Sequence, residues 1–260
     1  MLVATGTGIA VAVLVATVIG HAGSRAAAEA ADAKSGTSQP SAINTTAIAA
    51  SSSPTSPTSP TRSPAASLPG VGTALTAQIP ADSRQAVVAY GDSVDSPATT
   101  VVFYQKGADG WQQVASWRGH NGDRGWTRRH TEGDLRTQIG VFGLTDAGGL
   151  LPNPGSQLSY DRSSEFVASG VGFDGESLAK AFNYVIAINY NRVAGSSPLD
   201  SREPMGEARG GGIWLHVDHG GPTHACVSIP SAGMVMLLRD LSPSEHPVIV
   251  MGDRADLASA

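Results

Sequence analysis

The stretch that decides the fold is QAVVAYGDSVDSPATTVVFYQKGADGWQQVASW, residues 85–117. It contains three runs that are rich in valine and aromatic residues and alternate in polarity, at 85–90, 99–105 and 111–117. Such alternation over four to eight residues is typical of β-strands. The intervening KGADG at 106–110 fits a hairpin loop. This part of the chain therefore predicts antiparallel strands.

Outward from this stretch, the same pattern continues toward the C-terminus. Short apolar runs predict three further strands, at 184–190 (YVIAINY), 212–217 (GIWLHV) and 246–251 (HPVIVM). One helix is predicted from an N-cap at Ser231 to Leu241, because its apolar residues recur on one face. Short strands with glycine-rich turns predict a mainly β domain with few short helices.

The aromatic residues mark where the folded part begins. The chain has 4 Trp, 5 Tyr and 5 Phe, and none precedes Tyr90. A packed core needs large apolar side chains, so the first third of the chain cannot build a similar core. We predict a folded domain over residues 68–253 and a C-terminal tail over 254–260.

Residues 1–30 have the composition of an export segment. An apolar run at 9–19 is followed by small residues, and Ala-Glu-Ala at 28–30 suits a signal peptidase. Cleavage and retention as a membrane anchor both remain open, and a core helix is the third interpretation. Any contact with a membrane would be made through this segment alone.

Residues 31–67 consist mostly of alanine, serine, threonine and proline, including the repeat SPTSPTSPT at 53–61. Such a segment cannot bury enough apolar surface to offset its ordering entropy, and its prolines keep it extended. We expect a disordered tether that holds the domain away from a membrane.

Charge and cysteine content exclude several classes of protein. The net charge of −5 is mild, and basic runs interleaved with aromatics are absent, so nucleic acid is not an expected partner. Cys226 is the single cysteine, so no intrachain disulfide can form. A lone cysteine in an exported protein is either a buried inert thiol or a reactive one.

Residues 210–228, GGGIWLHVDHGGPTHACVS, place three histidines before this cysteine. His216 ends a predicted strand, and the turn at 220–221 can return the chain so that Cys226 lies beside it. An imidazole there can take the thiol proton, which activates the sulfur for attack on a carbonyl. His224 lies two residues from Cys226, so the two side chains share a face if that piece is extended.

The same side chains allow two other interpretations. His216, His219, His224 and Cys226 suit tetrahedral zinc, since a soft thiolate and imidazoles are its usual ligands. Alternatively, Cys226 is an ordinary core residue with surface histidines nearby. Spacing alone does not separate the nucleophile, the zinc site and the core thiol.

Several stretches together resemble the catalytic domain of the L,D-transpeptidases (YkuD-type), in an actinobacterial-like branch with a short His-to-Cys loop. THACV at 223–227 is similar to the family's Ser/Thr-His-Gly-Cys signature, and LH at 215–216 to its base-bearing motif. Further similar stretches are EGDLRTQIGVF at 132–142, YVIAINYNR at 184–192, GGGIWLHV at 210–217 and HPVIVMGD at 246–253. Ala225 replaces the usual glycine, Gln138 a common proline, and Ser228 a common arginine or asparagine.

The resemblance implies a β-sandwich and an exported enzyme of peptidoglycan biosynthesis, which contributes to cell-wall organisation and cell shape. Cys226 would be the nucleophile, His216 the base, and the Val217 carbonyl the group that orients the imidazole. The implied partners are peptidoglycan stem peptides, with carbapenems as inhibitors, and no cofactor or metal is implied. The reaction could instead be hydrolysis, with water as the acceptor of the acyl group. The alternative outside the enzymes is a non-catalytic module that binds zinc or the cell wall.

The other implied site residues lie around these three. The backbone N–H groups of His224, Ala225 and Cys226 would form an oxyanion hole. The remaining residues expected to contact substrate are Thr223, Ser228, Tyr190 and Arg192, with Arg192 as a candidate partner for a carboxylate. His219 is expected to be structural.

Overall fold

The computed structural model describes residues 66–260. The expected export segment, 1–30, and the tether up to residue 65 lie outside the described residues. The described part is mainly β with few short helices, as the sequence predicts. Its strands are β1 (Gln85–Gly91), β2 (Ala98–Gly107), β3 (Gly110–His120), β4 (Trp126–Thr127), β5 (Thr137–Gln138), β6 (Gly140–Gly149), β7 (Ser159–Arg162), β8 (Val185–Ile188), β9 (Trp214–Val217), β10 (Val227–Ile229) and β11 (Val248–Asp253).

The helices are α1 (Thr73–Thr76), α2 (Ser231–Asp240) and α3 (Arg254–Ser259), with 3-10 turns at Glu207–Arg209 and Pro243–Glu245. Helix α2 buries Met234, Leu237 and Leu238 on one face, whereas Val235 is only partly buried. Within residues 66–260, no helix combines the length and the apolar character needed to cross a membrane.

The main sheet closes on itself. Its strand order is β11-β1-β2-β3-β10-β9-β8-β6-β7, and β11 also pairs with β6. β11 runs parallel to β1 and antiparallel to β6, so it joins the two ends of the ring. β9 and β10 are parallel neighbours, which requires a crossover connection between them. That connection is the segment that carries His219 and His224.

Two apolar cores lie on opposite faces of β1, β2 and β11. In β1, Val87 and Ala89 point into the larger core, whereas Ala86, Val88 and Tyr90 point into a second one. All seven residues of β1 are buried. Successive side chains of β1 therefore point alternately into two cores, instead of into one core and solvent. This explains the nearly continuous apolar composition of the strand.

The second core is covered by the two ends of the described chain. Leu68 and Leu75 pack on it from the N-terminal side, and Leu257 of α3 packs on it from the C-terminal side. The Gly72 N–H donates to the Leu257 carbonyl over 2.8 Å. The Asp253 side chain caps α3 by accepting from the backbone N–H groups of Ala255 and Asp256. Residues 254–260, expected as a tail, are thus a capped helix packed on the domain.

Candidate active site

Cys226 lies immediately before β10, beside the end of β9. The parallel register pairs Ser228 with His216. Because side chains two residues apart in an extended segment share a face, Cys226 and His216 are on the same side of the sheet. The Trp214 N–H donates to the Cys226 Sγ over 3.3 Å, and Sγ lies 3.7 Å from the Gly212 carbonyl oxygen. The backbone of β9 thus fixes the position of the sulfur.

The imidazole of His216 has a defined orientation. Its Nδ1 is 3.0 Å from the Val217 carbonyl oxygen. Since a carbonyl only accepts, Nδ1 carries the proton and Nε2 is left as the acceptor. The Phe182 ring packs edge-on against the imidazole at a centroid distance of 5.5 Å. This carbonyl contact is the one that the family resemblance implies.

Burial favours the neutral form of both groups. Burial lowers the pKa of His216 to about 4, although the hydrogen bond to Val217 opposes the shift. Burial also raises the pKa of the Cys226 thiol to about 11, and the Trp214 N–H opposes that shift. Both groups are therefore neutral at pH 7 in the free protein. The resting state is a thiol next to a neutral imidazole, not an ion pair.

Two small pockets meet at Cys226. The first, which we call the histidine pocket, has a volume of about 150 Å³ and includes His216, His219 and Phe173 in its wall. The second, the glycine pocket, measures about 130 Å³ and includes Gly211 and Glu132. Cys226 and His224 line both pockets. A group attached to the sulfur therefore has space on two sides.

The loop between β7 and β8, residues 163–182, forms the outer wall of the histidine pocket; we call it the covering loop. His219 Nδ1 is 2.9 Å from the Glu176 Oε1. The His224 ring contacts Phe173 at a centroid distance of 5.0 Å. Gly221 leaves the space for this arrangement, since a Cβ there would lie 2.3 Å from Glu176 Oε1. His219 is thus a structural link to the loop.

The zinc interpretation is not favoured by this geometry. Within residues 66–260, no three His, Cys, Asp or Glu side chains converge as a metal-binding group. His216 and His219 direct their Nδ1 atoms to Val217 and Glu176, and their rings stack in parallel at 5.7 Å. His224 turns toward Phe173 instead.

Ala225 is accommodated without strain. The non-glycine residues with positive φ in the described part of the chain are Leu135, Asn191 and His246. Ala225 is not among them, so its methyl group meets no penalty of the kind that would require glycine. The residue is 7% exposed and packs with the larger core.

The backbone around Ala225 leaves donors available. In residues 66–260, the N–H groups of His224, Ala225 and Cys226 donate to no turn or loop acceptor. Thr223 secures this segment: its N–H donates to the Asn121 carbonyl, and its hydroxyl donates to the Cys226 carbonyl over 2.7 Å. Thr223 therefore holds this loop, and the backbone N–H groups of His224, Ala225 and Cys226 remain the candidate donors of an oxyanion hole.

Ser228 lies behind the site rather than facing a substrate. It is fully buried, and its hydroxyl donates to Asp218 over 2.7 Å. The same carboxylate oxygen of Asp218 is 2.8 Å from Nδ1 of His120. The hydrogen bond to Asp218 raises the pKa of His120. This network holds Asp218, the residue that follows Val217, and Ser228 lines neither of the two pockets at Cys226.

Tyr190 and Arg192 are placed away from the thiol. Arg192 forms an ion pair with Asp146 at 2.8 Å, and the two side chains are 5% and 3% exposed. Its guanidinium is thus already saturated and is not available to a substrate carboxylate, contrary to our expectation. Tyr190 is also buried; its hydroxyl donates to the Arg209 carbonyl, and its ring contacts His130. It supports the back wall of the glycine pocket.

Gln138 shows why proline is not needed at its position. Its side-chain carbonyl accepts from the His130 N–H over 2.9 Å, and its amide donates to the carbonyls of Arg128 and Ile139. These contacts fix the turn that proline would otherwise restrict.

Sequence reasoning missed Phe173, Glu176 and Phe182, which build the covering loop against the three histidines. They lie in a glycine-rich stretch without strand or helix periodicity, and Glu176 is 43 positions from its partner His219. Phe173 and Phe182 could have indicated that this loop packs on the rest of the domain, because large aromatic side chains in a glycine-rich loop need a partner to pack on.

Comparisons with known proteins add little beyond this geometry. No protein-family model matches the chain, and no curated protein matches it. Among solved structures, the chain is similar to Bd1075 of Bdellovibrio bacteriovorus, with 14% sequence identity and a TM-score of 0.38. The match covers 68% of this chain, and the chain spans about half (52%) of that structure.

Proposed function

We propose that the chain is a cysteine-dependent acyltransferase of the L,D-transpeptidase type, acting on peptidoglycan stem peptides outside the cytoplasm. The observation that carries this proposal is the histidine pocket, whose wall includes both Cys226 and His216, with the His216 imidazole held by the Val217 carbonyl. The sequence resemblance supplies the substrate class.

The proposed reaction has two acyl-transfer steps. Cys226 Sγ attacks the carbonyl between the third and fourth stem residues, and its proton passes to His216 Nε2. The C–N bond then breaks, the imidazolium protonates the leaving amine of the terminal D-amino acid, and a thioester remains. An amine of a second stem attacks this thioester and loses a proton to His216, which returns it to the departing thiolate.

The electrostatics indicate when the thiol is activated. A pKa of about 11 for Cys226 and about 4 for His216 oppose proton transfer in the free protein. Transfer therefore has to be coupled to attack, when the oxyanion hole takes up the developing negative charge. The Trp214 N–H stabilises the thiolate in the same step. The high thiol pKa also favours the alternative of a non-catalytic wall-binding module.

The test is incubation of the full chain with a synthetic tetrapeptide stem, with and without an amine acceptor, and product analysis by mass spectrometry. We expect loss of the terminal D-amino acid and a cross-linked product, both absent in Cys226→Ala. His216→Ala should be nearly as damaging, and His219→Ala should be the milder control. Release without cross-linking would identify a hydrolase. No reaction by the folded protein would refute the enzyme and leave the binding module.

A further inference from the structure

A buried histidine that the proposed chemistry does not use lines the glycine pocket. His130 is 2% exposed, and it shares this pocket with Cys226. Its Nδ1 lies 2.8 Å from the Asp134 Oδ1. The Asp134 carboxylate also accepts from the backbone N–H groups of Thr131 and Arg136, so it is an acceptor toward the imidazole as well. Nδ1 therefore carries a proton, and Nε2 of the neutral ring offers a lone pair.

This Nε2 lies next to a second acceptor that also lacks a donor. Within residues 66–260, no hydrogen bond reaches His130 Nε2, and the exposed Glu132 carboxylate forms neither a hydrogen bond nor an ion pair. A Cβ at Gly210 would lie 2.8 Å from His130 Nε2 and 2.9 Å from Glu132 Oε2. The two atoms thus border the same face of Gly210, with no donor between them.

The surroundings of these two acceptors are negative. No lysine or arginine is among the described residues that line the glycine pocket. Glu203 lies against Gly211 of the pocket wall. Burial raises the pKa of Glu203, and the charges of Glu132 and Glu207 raise it further. The donor that the pocket lacks is therefore a cation.

The size of the pocket and the arrangement of its acceptors select the kind of cation. The volume of about 130 Å³ is below that of sites for whole small ligands, about 300–1,000 Å³, so it fits one side chain or end group. A primary ammonium is compact and has three rotatable donors, which can reach an imidazole nitrogen and a carboxylate together. Hydrogen bonds between charged groups are also the stronger ones.

We propose that the glycine pocket binds a primary ammonium group, which donates to the Glu132 carboxylate and to His130 Nε2, on a ligand that reaches Cys226. Asp134 is the positioning residue that keeps Nε2 as an acceptor. The half-buried Leu135 supplies an apolar wall for the methylene groups next to the ammonium.

A second step, which rests on the proposed acyltransferase, assigns this ammonium to the acyl donor. His216, which exchanges protons with the leaving and attacking amines, lines the histidine pocket and not the glycine pocket. Both amines therefore belong on the side of the histidine pocket. The side chain of the residue whose carbonyl is attacked is left to the glycine pocket, so Glu132 and His130 would select a cationic third stem residue.

Thiol-reactive probes test the ammonium site without any acyl transfer. Three methanethiosulfonate reagents carry a 2-aminoethyl, 2-hydroxyethyl or 2-sulfonatoethyl group, which is cationic, neutral or anionic. Each forms a mixed disulfide with Cys226 and releases methanesulfinate. Rates for the full chain come from intact mass and are divided by the rates for 2-mercaptoethanol. We expect the cationic reagent to be the fastest, and its advantage over the neutral one to fall about fivefold in Glu132→Gln.

Matched variants show whether this preference belongs to the pocket. Glu165→Gln removes the same charge from an exposed side chain outside the glycine pocket and should keep the ratio of the parent. His130→Phe keeps a ring but removes Nε2 and should lower the ratio. Because Glu132 is exposed, its variant tests the site even if His130→Phe does not fold. An unchanged ratio in Glu132→Gln, or a faster reaction with the anionic reagent in the parent, would overturn the proposal.

Synthetic tetrapeptide stems test the assignment to the acyl donor. One stem has lysine as its third residue and the other has Nε-acetyllysine, and release of the terminal D-amino acid is measured without an acceptor. We expect a higher kcat/KM for the lysine stem, with the difference reduced in Glu132→Gln. Equal values in the parent would overturn the assignment to the donor. No release from either stem would refute the acyltransferase, whereas the reagent ratios would still decide the ammonium site.

Discussion

Cys226 and His216 form a pair in which burial keeps both groups uncharged at neutral pH. The thiol faces the Trp214 N–H of β9 and the Gly212 carbonyl just before that strand, and the imidazole is held by the Val217 carbonyl. In the proposed acyltransferase, the Val217 carbonyl would take the place of the carboxylate that is the usual third member of a triad. A carbonyl orients the ring without adding a charge, which is consistent with the low pKa of His216.

The first prediction concerns the alkylation of Cys226. Because burial raises its pKa to about 11, the thiolate fraction at pH 7 is smaller than for a free cysteine. We expect the iodoacetamide rate to rise about tenfold per pH unit from pH 7 toward pH 10. Labelling followed by intact mass measures it, with glutathione as the reference. A rate that is flat above pH 6 would indicate an ion pair and contradict this assignment.

Stability should depend on His216 at acid pH. Its folded pKa, about 4, lies below the value of 6.5 for an exposed histidine, so the unfolded chain binds more protons between these values. The stabilisation is present above pH 6.5 and is lost as pH falls toward 4, by up to about 3 kcal/mol. Chemical denaturation of the parent and His216→Gln at pH 7 and pH 4.5 measures the difference. An equal loss in both would contradict the prediction.

Ala225 stands where the resembling family usually has glycine, so the effect of its methyl group can be tested. If its methyl group distorted the oxyanion loop, Ala225→Gly would speed acylation. Because Ala225 is not among the positive-φ residues, we expect the acylation rate by a carbapenem to stay the same. Glycine should instead destabilise the fold by about 0.5–1 kcal/mol through backbone entropy. Rapid-quench mass spectrometry and thermal unfolding check the two parts, and a clear gain in rate would refute the geometry.

At the scale of elements, the covering loop connects to the segment around His216 and Cys226 through side chains and through one backbone hydrogen bond, from the Val217 N–H to the Ala181 carbonyl over 3.1 Å. Glu176 pairs with His219, Phe173 contacts His224, and Phe182 contacts both His216 and Trp214. Three exposed apolar side chains lie on or near its outer surface: Val167, Val171 and Phe173, at 59%, 67% and 42% exposure. The loop thus presents apolar groups beside the opening of the histidine pocket.

Loosening the Glu176–His219 contact should act on binding more than on chemistry. Glu176→Gln keeps the shape of the side chain but removes its charge, so the loop should open more often while the thiol and base stay in place. We expect KM for the stem peptide to rise several-fold with a smaller change in kcat. Glu165→Gln, in the same loop and exposed, is the matched control. A fall in kcat at constant KM would place Glu176 in the chemistry instead.

The elements also divide into those that the sequence predicts and those that it does not. Strands β1, β2 and β11 are predicted because valine-rich alternation supplies both cores. β6 is missed because its sequence, GVFGLTDAGG, is rich in glycine, which disfavours a strand. Its pairing with β11 and β8 outweighs that local preference. α3 is missed because a six-residue helix carries too little periodicity, and only its packing on the second core fixes it.

The site could be predicted in part for the same reason. Cys226, His216 and the Val217 carbonyl lie in one local strand-turn-strand segment, so spacing brings them together. The ion pair that occupies Arg192 could not be foreseen, because its partner, Asp146, lies 46 positions away on β6. Glu176 was missed for the corresponding reason. Local chain geometry is readable from the sequence, whereas contacts made by distant loops depend on the complete sheet.

For the whole molecule, both ends of the described chain are part of the fold. Leu257 is fully buried in the second core, and its carbonyl accepts from Gly72. Leu257→Ala should therefore lower the free energy of unfolding by about 2–5 kcal/mol. Leu151→Ala, which removes a side chain that is 36% exposed, is the control and should cost much less. Urea denaturation measures both, and equal costs would show that α3 only rests on the surface.

Closure of the sheet by β11 also has a consequence for the order of events during biosynthesis. β1 is the first strand of the described residues to leave the ribosome, yet one of its two lateral partners, β11, and part of the cover over its outer face come from residues 248–257. Its pairing across more than 150 positions cannot form until nearly all of the domain has been synthesised, and such long-range contacts slow folding. The ring of strands would thus stay open until the end of translation and close only when β11 becomes available.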